Sequence, residues 1–244
     1  EQGKLAYDDP MAKYLDDYPN REAAAKVTLR HLLSMTSGIG DFFGDKFDAT
    51  PKDRLRTLKD FVPLFSGEPL QFEPGTKQQY SNGGYVLLGA IIEKVSGQSY
   101  YDYVREHIFK PAGMENTDCF EADVPVQNLA SGYTRRGKAG DARRNNIYTR
   151  PARGSSAGGG YSTAEDLLRF AVAIQSGKLR KANFGKSGQD ASGDLGIAGG
   201  APGINALLEA DTSNGYTVIV MSNYDPPTAT SVGKQIRQWL TRIK

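Results

Sequence analysis

A junction between polar and apolar sequence at residues 79–97 constrains this chain more than any other stretch. Gln79-Tyr80-Ser81-Asn82-Gly83-Gly84-Tyr85 follows a Pro74-Gly75 turn and opens into the apolar run Tyr85-Val86-Leu87-Leu88-Gly89-Ala90-Ile91-Ile92. Such a run suits a buried helix and is well short of the ~20 residues of a membrane span. Gly97, after Ser96, supplies the left-handed residue that ends a helix. The mouth of this helix carries a phenol (Tyr80), a hydroxyl (Ser81) and a carboxamide (Asn82). A helix start fixed by a buried body holds such groups rigidly enough for proton transfer and hydrogen bonding.

With 244 residues the chain fits one large domain, or one domain with an inserted lobe. The 30 Lys and Arg nearly balance the 28 Asp and Glu, so charge gives no reason to expect nucleic acid or an anionic membrane as partner. The one basic cluster, Arg135 to Arg153 around Arg143-Arg144, holds a single aromatic, Tyr148, and reads as a solvated loop. A lone cysteine, Cys119, excludes an internal disulfide and a multi-cysteine metal site. The two histidines, His31 and His107, lie on separate predicted helices without metal-ligand spacing. No signal peptide is present, and the opening Glu1-Gln2-Gly3-Lys4-Leu5 reads as the end of a helix already under way.

Patterning places the remaining elements. Met11, Leu15 and Tyr18 form one face of a short helix after Asp8-Asp9-Pro10. Val27 to Met35 is a compact helix capped by Thr28 and stopped at Gly38. Pro51 to Phe65 is a helix with Leu55, Leu58, Phe61, Val62 and Phe65 on one stripe, and Tyr100 to Phe109 is another with Tyr100, Tyr103, Val104 and Ile108 inward. Residues 115–153 read as loops and short strands. Ser162-Thr163-Ala164-Glu165 is a capping box for a helix ending at Gly177. Leu195 to Gly200, Ile204 to Ala210 and Tyr216 to Met221 are strands, the last two joined by an Asn214-Gly215 hairpin turn. A helix from about Thr230 to Ile243, with Val232, Ile236, Trp239 and Leu240 inward, closes the chain. Helices followed by an antiparallel sheet make an α+β fold. It is expected as one domain over residues 1–244, with a mainly helical lobe around 20–115 and a sheet-containing lobe around 150–244.

Several residues have two readings on this basis alone. Tyr80 is one of 13 tyrosines, most of which in any protein pack with a satisfied hydroxyl. Asn82 suits a helix cap as well as a ligand contact. Ser81 reads as local hydrogen bonding, His31 as a helix-surface polar residue, and Cys119 as a small buried or loop thiol.

Taken together, the blocks resemble the serine β-lactamase-like family: class C β-lactamases, DD-peptidases and family VIII esterases. The resemblance rests on Gly3-Lys4-Leu5 with Asp8-Asp9-Pro10 and Tyr14-Leu15, and on Val27 to Met35 with Thr36-Ser37-Gly38. It continues through Phe72-Glu73-Pro74-Gly75 to Tyr80-Ser81-Asn82 and Gly89 to Lys94. Ser155 to Gly159 with Ser162 to Leu167, and Gly199 to Gly203 with Val218 to Asn223, complete it. What the resemblance implies is a β-lactamase/penicillin-binding-protein-like fold with an antiparallel sheet flanked by helices. The implied enzyme is a serine hydrolase that forms an acyl-enzyme on an ester, amide or β-lactam, with no cofactor and no metal. The alternative is a catalytically inactive relative that holds a peptide or cell-wall-like ligand.

By the same resemblance, Tyr80 is the general base or proton relay, Asn82 and Gly199 bind substrate, and Gly200 offers an oxyanion N–H. Ile197-Ala198-Gly199 falls where the family carries Lys-Thr-Gly or His-x-Gly, so Ile197 departs from the pattern; Lys186-Ser187-Gly188 is a less fitting substitute in a polar loop. The family's Ser-x-x-Lys is expected before Gly3, on a segment outside this chain or on a second chain. The one Ser-x-x-Lys present, Ser231-Val232-Gly233-Lys234, falls in the predicted last helix and reads as a surface coincidence. Expected partners are a small-molecule or peptide acyl substrate, with no nucleic acid and no membrane span. The expected location is the periplasm or the exterior.

Overall fold

In the computed structural model, which describes residues 2–135, 142–179 and 194–242, the chain forms two compact units. One comprises Glu1–Arg105 and Pro151–Gly160, the other Glu106–Arg150 and Tyr161–Lys244. The helical unit is therefore assembled from two separate stretches of sequence.

The first unit holds α1 (Arg21–Lys26), α2 (Leu29–Leu33), α3 (Asp45–Ala49), α4 (Leu58–Phe61), α5 (Asn82–Ser96) and α6 (Tyr100–Val104). The apolar run is the body of α5. Its Val86, Leu87 and Ile91 are buried in a cluster with Leu29 and Leu32 of α2, Phe61 of α4 and Phe65. Each such side chain removed from water contributes about 1.5–3 kcal/mol, and this burial holds a helix that would not persist alone. Gly97 ends α5 at φ 73°, as its position predicts. Met11, Leu15 and Tyr18 are all buried, although of the short helix expected there only a 3₁₀ turn at Met11–Lys13 forms; Thr28 caps α2 by accepting the His31 N–H.

Two longer predicted helices are broken. Over 51–65, Thr57 starts a new helix, because the Asp60 carboxylate takes its backbone N–H at 2.7 Å and that of Arg56 at 3.1 Å. Only α4 is α-helical there, flanked by 3₁₀ turns at Lys52–Arg54 and Val62–Leu64, the second containing Pro63, which has no N–H to donate. Leu55, Leu58, Phe61 and Phe65 are buried nonetheless. In the second case α6 stops at Val104 and a π-helical turn follows at Arg105–Phe109. Tyr101, not Tyr100, is the buried residue. Its hydroxyl donates to the carbonyls of Arg56 (3.0 Å) and Gly154 (2.9 Å), which rotates the helix by one position.

The second unit holds α7 (Lys110–Ala112), β1 (Tyr133–Thr134), β2 (Arg144–Asn145), α8 (Ala164–Gln175), β3 (Leu195–Ala201), β4 (Ile204–Asp211), β5 (Tyr216–Ser222) and α9 (Thr228–Leu240). β3, β4 and β5 form an antiparallel sheet in sequence order, closed by turns at Pro202-Gly203 and at 212–215. Alternation along the strands divides its faces. Leu208, Ala210 and Ile219 pack with Ala171 of α8. Leu207 and Val220 face Gly233 of α9, where a Cβ would overlap Leu207. The sheet is thus flanked by a helix on each face, and with the helical first unit the architecture is α+β.

Two expectations about these helices are corrected. The N-cap of α8 is Thr163, whose hydroxyl accepts the Asp166 N–H at 3.1 Å, one residue later than the predicted box; Glu165 pairs with Arg169 instead. On α9, Ala229 and Gly233 are buried while Val232 and Trp239 are 45% and 59% exposed. The helix approaches the sheet through its smallest residues, which turns Val232 and Trp239 outward and leaves Ile236 and Leu240 half-buried.

Candidate active site

The mouth of α5 is built by two segments lying side by side. Gln79 donates its N–H to the Met35 carbonyl (2.8 Å), Gly75 to Thr36 (2.9 Å) and Gln71 to Gly38 (2.8 Å). Thr36-Ser37-Gly38 and the approach to Tyr80 are therefore a single layer. Ser81 is the N-cap of α5: its Oγ accepts the Gly84 N–H at 2.9 Å and donates to the Gly40 carbonyl at 3.1 Å. Ser81 is buried and engaged, in keeping with a local role, and its capping leaves the Asn82 side chain available for other contacts.

Tyr80 and Asn82 are brought together. The Tyr80 phenol is 67% exposed, and its hydroxyl donates to Asn82 Oδ1 at 3.2 Å. Asn82 Nδ2 donates to Asp41 Oδ2 at 2.7 Å, and the Asn82 backbone N–H reaches the same oxygen at 3.3 Å. A phenol, an amide and a carboxylate thus form one relay, with the short charge-assisted bond at the carboxylate end. Next to it, burial, and after it the nearby Tyr80 phenol, push the Tyr85 phenol above its ordinary value. Tyr85 stays protonated and donates to the Leu33 carbonyl at 3.3 Å.

Gly199 and Gly200 belong to the second unit, on β3, which has β4 along one edge. The amide of Asn205, opposite Gly200, donates to the Gly199 carbonyl at 2.8 Å. Across the trans Gly199–Gly200 peptide the N–H points opposite to that carbonyl, so Gly200 directs its N–H away from Asn205. A Cβ on Gly200 would meet Pro226 and Asn205, whereas Gly199 has open space where a side chain would stand. Asn205 is buried, and its Oδ1 accepts the N–H groups of Ala229 (2.7 Å) and Thr230 (3.3 Å) at the start of α9. One side chain therefore fixes both the β3 peptide and the helix beside it. Ile197, where the resemblance calls for Lys or His, is 50% exposed.

Ser231 lies on the exposed side of α9 with its backbone N–H bonded to the Pro227 carbonyl, and Lys234 is exposed as well. Lys186-Ser187-Gly188 lies outside the described residues. His31 serves the α2 cap and Cys119 is buried. The sequence by itself does not mark Asp41 or Asn205. Neither sits in a local pattern that marks it; each matters through a residue more than ten positions away, or on the next strand.

Residues 1–242 match the family described as Beta-lactamase. The chain belongs to the beta-lactamase family. Members of this family are serine hydrolases. The chain is 28% identical over 236 residues to the putative penicillin-binding protein PbpX of Bacillus subtilis, covering 91% of this chain and 56% of that protein. It spans about half or less of the length of the curated relatives it matches. Among solved structures it is similar to a penicillin binding protein from Bacillus halodurans, with 30% identity and a TM-score of 0.85 over 97% of this chain and 79% of that one. A D-amino acid amidase from Ochrobactrum anthropi SV3, complexed with L-phenylalanine amide, superposes with 26% identity and a TM-score of 0.73, covering 91% of this chain and 70% of that one. No helix among the described residues is long and apolar enough to cross a membrane.

Proposed function

We propose that this chain carries the Tyr-x-Asn and oxyanion parts of a serine hydrolase that forms an acyl-enzyme on an ester, amide or β-lactam. The observation that carries the reading is the Tyr80–Asn82 pair at the capped mouth of α5, with the Tyr80 hydroxyl donating to Asn82 Oδ1. In this reading a serine oxygen attacks the acyl carbon and its proton passes through the Tyr80 phenol. The N–H of Gly200 receives the developing oxyanion, and Asn82 and Gly199 orient the acyl group. The leaving group departs with a proton, and water then attacks the acyl-enzyme to release the acid and restore the serine. The serine and its lysine are assigned to a segment outside these 244 residues, on a longer chain or a second one. The Ser231–Lys234 pair stands on the exposed side of α9.

The test is labelling and turnover. The 244-residue protein is incubated with p-nitrophenyl acetate, nitrocefin and a fluorophosphonate, and its intact mass is read. A form carrying an upstream Ser-x-x-Lys is treated in the same way. Turnover and a single adduct only in the longer form support the reading, with a loss of about 100-fold or more in Tyr80→Phe. Fast turnover by the 244-residue protein, or stoichiometric labelling at Ser231, overturns it. The exposed Ile197, which replaces a polar residue on β3, favours a second reading, a binding relative without turnover. That reading predicts a rise in melting temperature with an acyl-peptide or β-lactam and no adduct in either form.

A further inference from the structure

Asp41 lies 41 residues before Asn82 in sequence, yet every strong contact of the Asn82 amide nitrogen runs to it. A carboxylate accepts hydrogen bonds and cannot donate them, so only the NH₂ end of the amide can face Asp41. The amide is planar, so its oxygen must then face the other way, and there it meets the Tyr80 hydroxyl. Asp41 is itself fixed: its Oδ1 accepts the Phe43 N–H at 2.9 Å, and the preceding Gly40 carbonyl is bonded to Ser81 Oγ. The carboxylate also stands at the positive end of the 15-residue α5, where it accepts the Asn82 backbone N–H.

We propose that Asp41 is a positioning residue that sets the polarity of the Asn82 amide, and through it the direction of the Tyr80 hydroxyl. This rests on the hydrolase reading for its effect on catalysis, but not for its effect on the amide. Without Asp41, the Asn82 amide is free to turn by 180° and present N–H groups to Tyr80, and the phenol loses its acceptor. A role confined to capping α5 would instead lower stability and leave the amide and the chemistry as they were.

Two measurements on the protein separate these cases. The first is the ¹H–¹⁵N signal of the Asn82 side chain, assigned by its disappearance in Asn82→Ala. One amide proton is expected downfield and protected from exchange in the parent, and both are expected at free-amide positions in Asp41→Leu. An unchanged Asn82 pair in Asp41→Leu overturns the proposal. The second is a double-mutant cycle in kcat/KM on the form carrying the nucleophile. Loss of a hydrogen bond to a charged group predicts a fall of about tenfold or more for Asp41→Leu alone. In the Asn82→Ala background the same change is expected to cost less than about twofold, because residues acting as a unit are not additive. An equal fall in both backgrounds overturns the proposal. If Asp41→Leu does not fold, Asp41→Asn, which keeps the shape and one acceptor oxygen, is expected to show the same signs with smaller size. If no form of the protein hydrolyses any acyl substrate, the hydrolase reading fails alone and the amide signal still decides the role of Asp41.

Discussion

Replacing Asp166 by alanine is expected to destabilise the second unit far more than its neighbour Glu165 would suggest. Asp166 is fully buried in the first turn of α8. Its carboxylate accepts the Asn116 N–H at 2.7 Å and the Thr117 hydroxyl at 2.8 Å, and pairs with Arg169 Nη1 at 3.0 Å. Alanine leaves all three donors facing a methyl group. Losing a charged acceptor costs about 1.5–3 kcal/mol for each of the Asn116 N–H and the Thr117 hydroxyl, roughly 3–6 kcal/mol together, while Arg169 is 38% exposed. Arg169 keeps the Gly113 carbonyl at 3.1 Å and Glu165 at 2.8 Å, so the lower end of that range applies. With about 2–4 °C lost per kcal/mol for a chain of this size, the thermal midpoint should fall by about 6–12 °C. Glu165→Ala removes only an exposed partner of the same arginine, worth about 0.2–1 kcal/mol, or roughly 2 °C. Thermal unfolding followed by far-ultraviolet circular dichroism on both variants checks the reasoning. A midpoint for Asp166→Ala within about 3 °C of that for Glu165→Ala would show that the buried carboxylate is not the organising acceptor.

Asn205→Ala removes the acceptor at the start of α9 and the donor to Gly199, and should cost about 2–3 kcal/mol, read from the urea midpoint at constant slope. Gly89→Ala places a methyl group on Ser156 Oγ and Leu58 Cδ1, so overpacking of about 1–3 kcal/mol should outweigh the roughly 1 kcal/mol gained in helix propensity; a stabilised variant in urea unfolding would refute the close approach. Burial raises the pKa of Asp60, but the backbone and hydroxyl donors of Thr57 and the N–H of Arg56 outweigh it, and the carboxyl sits below the usual carboxylate value. Because the folded value is the lower one, its contribution is complete above the unfolded value of about 4 and is lost as pH falls through the folded one; the parent's urea midpoint should therefore drop on acidification over that window by more than that of Asp60→Asn.

Much of the architecture was legible without coordinates, because its causes are local. The apolar run and Gly97 specify the body and end of α5, although its cap is Ser81 where Asn82 also suited one, and the Asn214-Gly215 turn and the β-branched residues between Tyr216 and Met221 specify a hairpin. Thr28 capping α2 is likewise a contact between neighbours in sequence. The expectations that failed involve competition between a local preference and a distant partner. Tyr101 is buried because carbonyls at 56 and 154 accept its hydroxyl, and α9 turns Trp239 outward because Gly233 lets the helix settle on Leu207. Asp166 rather than Glu165 matters in α8 because Asn116 and Thr117 arrive from another stretch of chain.

The same division runs through the candidate site. Tyr80 and Asn82 are two residues apart at a helix start, so the sequence alone put a phenol and an amide in one place. What points the amide is Asp41, and what points the Gly199–Gly200 peptide is Asn205. Hydrogen-bond direction depends on which acceptor or donor the folded chain carries to each group. That choice is made by tertiary packing, because no pattern of neighbours along the sequence encodes the angle between two side chains brought together from 41 residues apart.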